Sequence, residues 1–437
     1  MRLMVVLMSR WFVALVGVGL MSGVGFGQTF RWDGGTNNLW SDATNWTLTS
    51  GVGTAPPNSA STIAVFSGGS ANTAVSLGGG TFSLAALQYD TATAAAYSIS
   101  NGTGTLQFAS GGSISITNTV TTNQSISASV AALGPFTLNN SSATAVLTIS
   151  GAVSGGSGLD KTGSGLVALT GANTYSGATT ISAGTLAAQG ASPFGTSNVV
   201  NNAALNLSNA SVGPSNAISG TGTVNQLAGT SFLTGTNTYT GTTTISGGVL
   251  VVGNGTTTGT LGTGNVVNNA QLGFARINPH TVGNVISGTG SLAVNGTPTL
   301  TAANTYTGFT VINSGTITIS ADNNLGTAPS SAIANHLRIM MGGTLATTSS
   351  FTLNINRGIA LDAGAVAPVT INTAAGTTLT VPGVLQGGTL NKAGTGTLEL
   401  TGTNLYSGTT SVSAGTLRVG SGGTTGTLGN EIGRAHV

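Results

Sequence analysis

The chain of 437 residues has no cysteine, ten prolines, and only ten Lys and Arg against eight Asp and Glu, so charged side chains make up 4% of it. Each scarcity excludes something. Without thiols there is neither a disulfide framework nor a thiolate metal site, and stability must come from burial and backbone pairing. Globular proteins carry about a quarter charged residues, which makes an ordinary cytosolic enzyme a poor fit. Disorder of the usual kind needs low hydrophobicity with high net charge, whereas here the apolar set is 39% and the mean hydropathy is +0.31. The 70 glycines follow no triplet period, and with so little proline this removes collagen. Aromatics are 5%, and the polar remainder is mostly Thr, Ser and Asn. A repetitive β architecture remains.

Residues 1–27 hold Arg2 and Arg10, the apolar run Trp11–Leu20, and small residues ending Gly25-Phe26-Gly27. These are the three regions of a secretory signal peptide, with cleavage expected between Gly27 and Gln28. As a membrane anchor the apolar core falls short of the roughly 20 residues that a span requires. No later stretch reads as a transmembrane helix, because Gly, Thr, Ser and Asn interrupt every apolar run. Removal of the leader leaves eight basic against eight acidic residues. The pI of about 9.2 is therefore no nucleic-acid footprint, which needs clustered Lys and Arg.

One motif recurs four times: Asn173, Tyr175, Gly177; Asn237, Tyr239, Gly241; Asn304, Tyr306, Gly308; and Asn404, Tyr406, Gly408. Each copy continues into an aliphatic strand, a second glycine and another aliphatic, as in Gly177-Ala-Thr-Thr-Ile181-Ser-Ala-Gly184-Thr-Leu186. The starts lie 64, 67 and 100 residues apart, spacings expected to be whole numbers of a coil of roughly twenty residues or slightly more. Companion segments precede the copies, and Asn198-Val-Val-Asn-Asn202 and Asn265-Val-Val-Asn-Asn269 sit between them. In Thr397-Leu398-Glu399-Leu400-Thr401 and Thr416-Leu417-Arg418-Val419-Gly420 the aliphatics alternate, which places Leu and Val on one face and the charge on the other. Asn254-Gly255 and Asn295-Gly296 are turn dipeptides.

Short strands, glycine corners and an internal period predict an all-β, right-handed parallel β-helix (β-solenoid), with coils stacked at about 4.8 Å. The scarcity of charge then has a cause. Like stacks on like in such an array, and identical charges repel where Thr or Asn can hydrogen-bond along a ladder.

The stretch from Gly394 to Leu417 resembles the autotransporter-associated β-strand repeat, with four copies between about residues 149 and 420 and weaker solenoid-like sequence at 70–148 and 318–383. The resemblance implies a right-handed β-helix in a large bacterial surface or secreted protein, often an autotransporter passenger. Trp32, Trp40 and Trp46 resemble the Trp-rich start of such proteins and read as a cap over the first coil. Their functional alternative is a carbohydrate-stacking platform. The expected organisation is a signal peptide at 1–27, a Trp-rich cap at 28–70, a solenoid at 71–430, and a tail at 431–437. That tail resembles translated sequencing adapter and is read as non-native.

Catalytic chemistry is sparse. His280, His336 and His436 have no neighbour at metal-ligand spacing and read as solvated loop or ladder positions. Ser164 sits in a degenerate nucleophile-elbow match, Gly163-Ser164-Gly165, and reads as a turn residue. Polysaccharide lyases and hydrolases need paired carboxylates or a Ca²⁺ cluster, but Asp90, Asp160, Asp322, Asp362, Glu399 and Glu431 are isolated in sequence. Asp160-Lys161 and Asn391-Lys392 hold matching places in their repeats, which points to a structural role or a coil-to-coil contact. No cofactor and no catalytic or metal residue is assigned.

The leading expectation is a noncatalytic exported scaffold, stalk or adhesin on a bacterial surface, in the outer membrane or in the medium. Its expected partners are the export machinery and a surface glycan or a host or cell-envelope component, with no nucleic acid. The alternative is a carbohydrate-binding or polysaccharide-degrading β-helix. Ice binding through threonine runs such as Thr242-Thr243-Thr244 and Thr256-Thr257-Thr258 is a third, minor reading.

Overall fold

The computed structural model describes residues 27–429 except 101, 190–191, 209–215, 363–367 and 423–425. Most of the expected leader and all of the expected tail, including His436, lie outside the described residues. The chain is all-β with about 2% helix and forms a parallel β-solenoid of about 16 turns. Its strands assemble into sheets of 12, 11, 9, 7 and 4 members. Among the described residues one pair is antiparallel, Thr29–Trp32 with Trp46–Ser50, and every other pairing is parallel.

Alternation builds the strands. In Thr316–Ile319, Thr378–Val381 and Thr397–Leu400 every second residue is buried, so Ile, Leu and Val fill the interior while Thr and Glu399 line the outside. Each inward aliphatic removed from water contributes about 1.5–3 kcal/mol. These residues join one continuous core running from Phe30 to Tyr406. Corners between strands are glycine positions. Gly163 lies at φ +70°, and a Cβ on Gly165 would come within 2.3 Å of the Ser142 carbonyl one coil below. The corner therefore needs both left-handed backbone and close coil-to-coil approach.

A turn contains three runs. Leu159–Thr162 and Leu166–Leu169 are two strands joined by the 163–165 corner, and the third run carries the Asn-Tyr motif. In the first repeats the pitch is short: Leu159 lies beside Thr179, Thr179 beside Val199, and Val199 beside Ile218.

The spacing of the motif differs from the expectation of whole coils. From Thr179 the same face returns at Val199, Ile218 and Thr238, and Thr243 lies one face further round. From Thr243 it returns at Val266, Ile286 and Thr305, with Thr310 one face on. From Thr310 four turns, through Leu337, Ile359, Leu385 and the run at Leu405, precede Thr410 on the next face. The four copies thus place their Thr-x-Ile/Val strands in four different sheets. The motif winds around the solenoid one face per copy, so that on a three-sided coil the fourth copy returns to the side of the first.

Candidate functional site

The motif residues tie coils together. Asn173 Oδ1 accepts the Val153 N–H of the coil below at 2.8 Å, while its Nδ2 donates to the Pro193 carbonyl of the coil above at 2.9 Å. Asn237 does the same between Ile218 and Thr260, at 2.8 and 2.6 Å. Asn304 bridges Ile286 and Asn324, at 2.8 and 2.7 Å, and Asn404 bridges Leu385 and Thr427, at 3.1 and 2.6 Å. All four asparagines are buried, and each satisfies main-chain groups that would otherwise be stranded between coils.

The tyrosine of each motif points inward and pairs its hydroxyl with the threonine four residues on: Tyr175 with Thr179 at 2.6 Å, Tyr239 with Thr243 and Tyr306 with Thr310 at 2.7 Å, Tyr406 with Thr410 at 2.8 Å. Burial pushes the Tyr175 hydroxyl up to about 12 and raises those of Tyr239 and Tyr306. Gly177 and Gly241 have no room for a side chain, since a Cβ would sit 2.1 and 2.2 Å from the backbone of the coil below. Thr243, the middle of one threonine run, is thus a buried core residue, which breaks the flat threonine array an ice-binding face requires.

Lys161 and Lys392, read as structural residues or coil-to-coil contacts, are both fully buried. Lys161 Nζ donates to the carbonyls of Thr162, Gly163 and Ala183 at 2.8, 2.8 and 2.9 Å, and Lys392 Nζ repeats the cage with Ala393, Gly394 and Ala414 at 2.7, 2.7 and 3.1 Å. Burial pushes the Lys161 ammonium down to about 8 and lowers that of Lys392. At a comparable corner Gln226 Nε2 meets the carbonyls of Ala228 and Gly229, at 2.6 and 3.0 Å. A side-chain N–H donor thus closes these corners from inside.

His336 corrects the expectation of a solvated histidine. It is buried, and its Nδ1 lies 3.0 Å from Nη1 of Arg357, itself fully buried. Arg357 also donates to Asp322 Oδ1 at 3.0 Å, to Asp322 Oδ2 at 3.4 Å, and to the carbonyls of Leu325 and Gly326 at 3.0 Å each. Asp322, isolated in sequence, caps this cluster from the short 3₁₀ turn Asp322–Leu325. Burial, then the neighbouring guanidinium, lowers the His336 pKa, which keeps the ring neutral as an acceptor for Arg357. Every branch of the guanidinium is occupied, so the cluster is a tether and offers no open position to a substrate.

The other described carboxylates are similarly engaged. Asp33 pairs with Arg31, Asp362 with Arg338 and Glu399 with Arg418, at 2.8, 3.0 and 3.2 Å. Asp42 accepts from Thr44, Asp90 from Thr117 and Asp160 from Ser182. Among the described residues no three His, Asp or Glu group where a metal ion could be held. Ser164 is an exposed corner residue.

Trp32, Trp40 and Trp46 are buried and meet one another edge-on, at 5.0 Å for Trp32 and Trp46 and 4.7 Å for Trp40 and Trp46. All three lie about 6 Å from the Phe66 ring. Their indole N–H groups donate to the carbonyls of Asn72, Pro57 and Trp40. No ring presents a free face for a sugar. Two strands of this segment, Thr29–Trp32 and Ile63–Phe66, already belong to the parallel stack.

Sequence reasoning passed over one surface feature. A groove of about 450 Å³ opens beside the strand His280–Val282, with Phe274 and Leu261 in its wall. Histidine 280 was visible in the sequence, but the interruption of the sheet that exposes it was not.

Comparison with known proteins identifies the repeats. The passenger-associated-transport-repeat family matches residues 159–188, 228–252, 287–319 and 390–419, and each match encloses one Asn-Tyr motif. The adhesin BmaC autotransporter of Brucella suis biovar 1 (strain 1330) is 38% identical over 139 residues, which cover 31% of this chain and 4% of that protein. The match therefore spans a small part of the relative's length. No solved structure matches the chain.

Proposed function

We propose that this chain, an autotransporter passenger-like repeat protein, is a noncatalytic β-solenoid exported to the bacterial surface, where it acts as an adhesive scaffold. The observation that carries the reading is the coincidence of four passenger-associated-transport repeats with a parallel stack in which the motif asparagines join neighbouring coils and the motif tyrosines are buried. Such a stack extends by a fixed step per coil and resists proteolysis because its backbone is paired on both sides. Adhesion would come from outward side chains on successive coils, each contact weak and the sum strengthened by multivalency. The relative described as an adhesin supports the same role. Nothing in the geometry favours the polysaccharide-degrading alternative.

The test is display of the full chain on a non-adherent bacterium, with attachment to epithelial monolayers and cell–cell aggregation counted against a strain displaying an unrelated solenoid. Gain of attachment or aggregation is expected. Reproducible cleavage of a polysaccharide by the purified chain, without either gain, would replace this reading with the enzymatic one.

A further inference from the structure

The turn from Thr310 to Leu337 carries surplus chain: between the 3₁₀ turn Asp322–Leu325 and the strand Ile333–Met340, residues 326–332 belong to no helix or strand. At the start of this segment Thr327 N–H donates to the Tyr306 carbonyl at 2.9 Å and the Thr327 hydroxyl to the Thr305 carbonyl at 3.2 Å. Further along, two consecutive residues of the next coil hold it. Asn356 donates through Nδ2 to the Pro329 carbonyl and accepts the Ile333 N–H on its own carbonyl, both at 2.9 Å. Arg357 donates to the Gly326 carbonyl and to Nδ1 of His336, at 3.0 Å each. Beyond His336 the strand is secured from both sides, since residues 337–340 pair with 359–362 and residues 337–339 with Thr310–Ile312.

His336 is the member of this cluster that protons can change. It is 2% exposed, and as a neutral ring it offers Nδ1 as an acceptor to the Arg357 guanidinium. A protonated ring carries N–H on both nitrogens, so it loses that acceptor and sets a second cation 3.0 Å from the first. The charged and titratable groups around it are few. Arg357 comes from the strand Arg357–Asp362 and Asp322 from the 3₁₀ turn, while Tyr306 of the coil below spends its hydroxyl on Thr310 and Arg338 of the same strand is engaged by Asp362. Asp322 alone opposes the new charge, and both of its oxygens already face Arg357.

Burial and then the guanidinium lower the pKa of the ring, while the Thr307 main chain and Asp322 act the other way. The stability that the neutral ring confers is therefore complete above about 6.5, the value of a free histidine, and is lost as pH falls below it, because the open state binds the proton more readily. Opening also bares the ring of Phe309, which packs on the imidazole at 5.8 Å.

We propose that Asp322, His336 and Arg357 form an acid-released latch: it closes residues 326–336 onto the stack at neutral pH, and protonation of His336 frees them while the coils beneath stay paired. The latch goes beyond the adhesive reading and does not depend on what the solenoid binds.

The test is amide hydrogen exchange of the full chain from pH 7.5 to 4.0, corrected at each pH for the intrinsic rate, with His336→Gln and His336→Lys beside the wild type. Protection at 327–336 is expected to fall at least about threefold between pH 7.5 and 5.0, to return on neutralisation, and to stay unchanged at 159–188. His336→Gln keeps an acceptor without a titrating nitrogen and should hold the segment closed at both values. His336→Lys places a fixed cation there and should open it already at pH 7.5. Equal wild-type protection at pH 7.5 and 5.0 overturns the proposal. So does a loss that survives in His336→Gln, because the transition then belongs to a carboxylate. If His336→Gln is open throughout, the wild-type midpoint decides: above about 4.5 it supports the latch, and below, in the carboxylate range, it overturns it.

Discussion

Between Leu159 and Ile218 successive turns advance by 20, 20 and 19 residues, and their coil-bridging is done by Asn173, Tyr175 and main-chain amides. Between Thr310 and Leu385 the turns lengthen to 27, 22 and 26 residues and carry Asp322, His336, Arg338, Arg357 and Asp362. The short turns have no slack: glycine backbones touch, and an amide side chain reaches both neighbouring coils. The long turns carry extra chain that must be fastened to the stack, and an arginine with five donors can reach several loop atoms at once. Of these two regions the short turns hold only the charged neighbours Asp160 and Lys161, whereas the long turns hold five titratable side chains, four of them in the opposite-sign pairs Asp322–Arg357 and Arg338–Asp362.

The sharpest way to break this contrast is Arg357→Leu. The substitution strands the Asp322 carboxylate and the Leu325 and Gly326 carbonyls, and loss of one member of a buried pair costs about 3–5 kcal/mol. Solenoids open locally, so the measurement is amide hydrogen exchange. Protection should fall at 333–340 and 357–362 and stay unchanged at 159–188. Arg357→Lys should recover little, because an ammonium cannot reproduce the fork.

In the short turns the corresponding change is Asn237→Leu, which leaves the Ile218 N–H and the Thr260 carbonyl unsatisfied at a cost of about 2–3 kcal/mol. Exchange should rise on both flanking coils. Loss of protection confined to one coil would mean that the asparagine does not couple its neighbours.

The buried lysine gives the next effect, with a sign of its own. Lys161 titrates near 8 in the folded chain and near 10.5 when unfolded. Between those values the unfolded state binds more protons, so this group makes stability rise with pH. From pH 7 to 9, where unfolded tyrosines are ionised to at most about a tenth, the gain is roughly 1 kcal/mol. Thermal unfolding across that range should show it, and Lys161→Met should reduce the slope, leaving the part that Lys392 contributes.

The stack itself was legible. Alternating strands such as Thr397–Leu400, paired glycines and a period near twenty all report local backbone geometry, which sequence carries directly. Less legible was anything that depends on which coil lies against which. The repeated Asn and Tyr stood out, but their inward direction, and the bridging of three coils by the asparagines, appear only when turns are stacked. The matching places of Lys161 and Lys392 pointed to a structural role or a coil contact, but not to burial, which is rare for an ammonium; three carbonyls at a tight corner make it possible. Asp322, His336 and Arg357 share no motif and meet only because the turns between them are long. The groove at His280 exists because a strand is missing, and a missing strand leaves no sequence pattern.

One contact was within reach of the sequence. Glu399 and Arg418 occupy the same place in consecutive turns, and the strands Thr397–Leu400 and Thr416–Val419 pair in register with these two residues side by side, 3.2 Å apart. Thr380 of the turn below also donates to Glu399 at 3.0 Å. Arg418 is 58% exposed, so the pair is worth less than about 1 kcal/mol and should fade in 1 M salt. Arg418→Ala should therefore barely change exchange at 416–419. Arg418→Glu is the more informative variant: it sets two carboxylates in one ladder and should cost about 1 kcal/mol more than the alanine, with the excess disappearing in salt. If the two variants are equal at low salt, repulsion between stacked charges is not what keeps charge out of the short turns, and the contrast with the long turns must come from loop length alone.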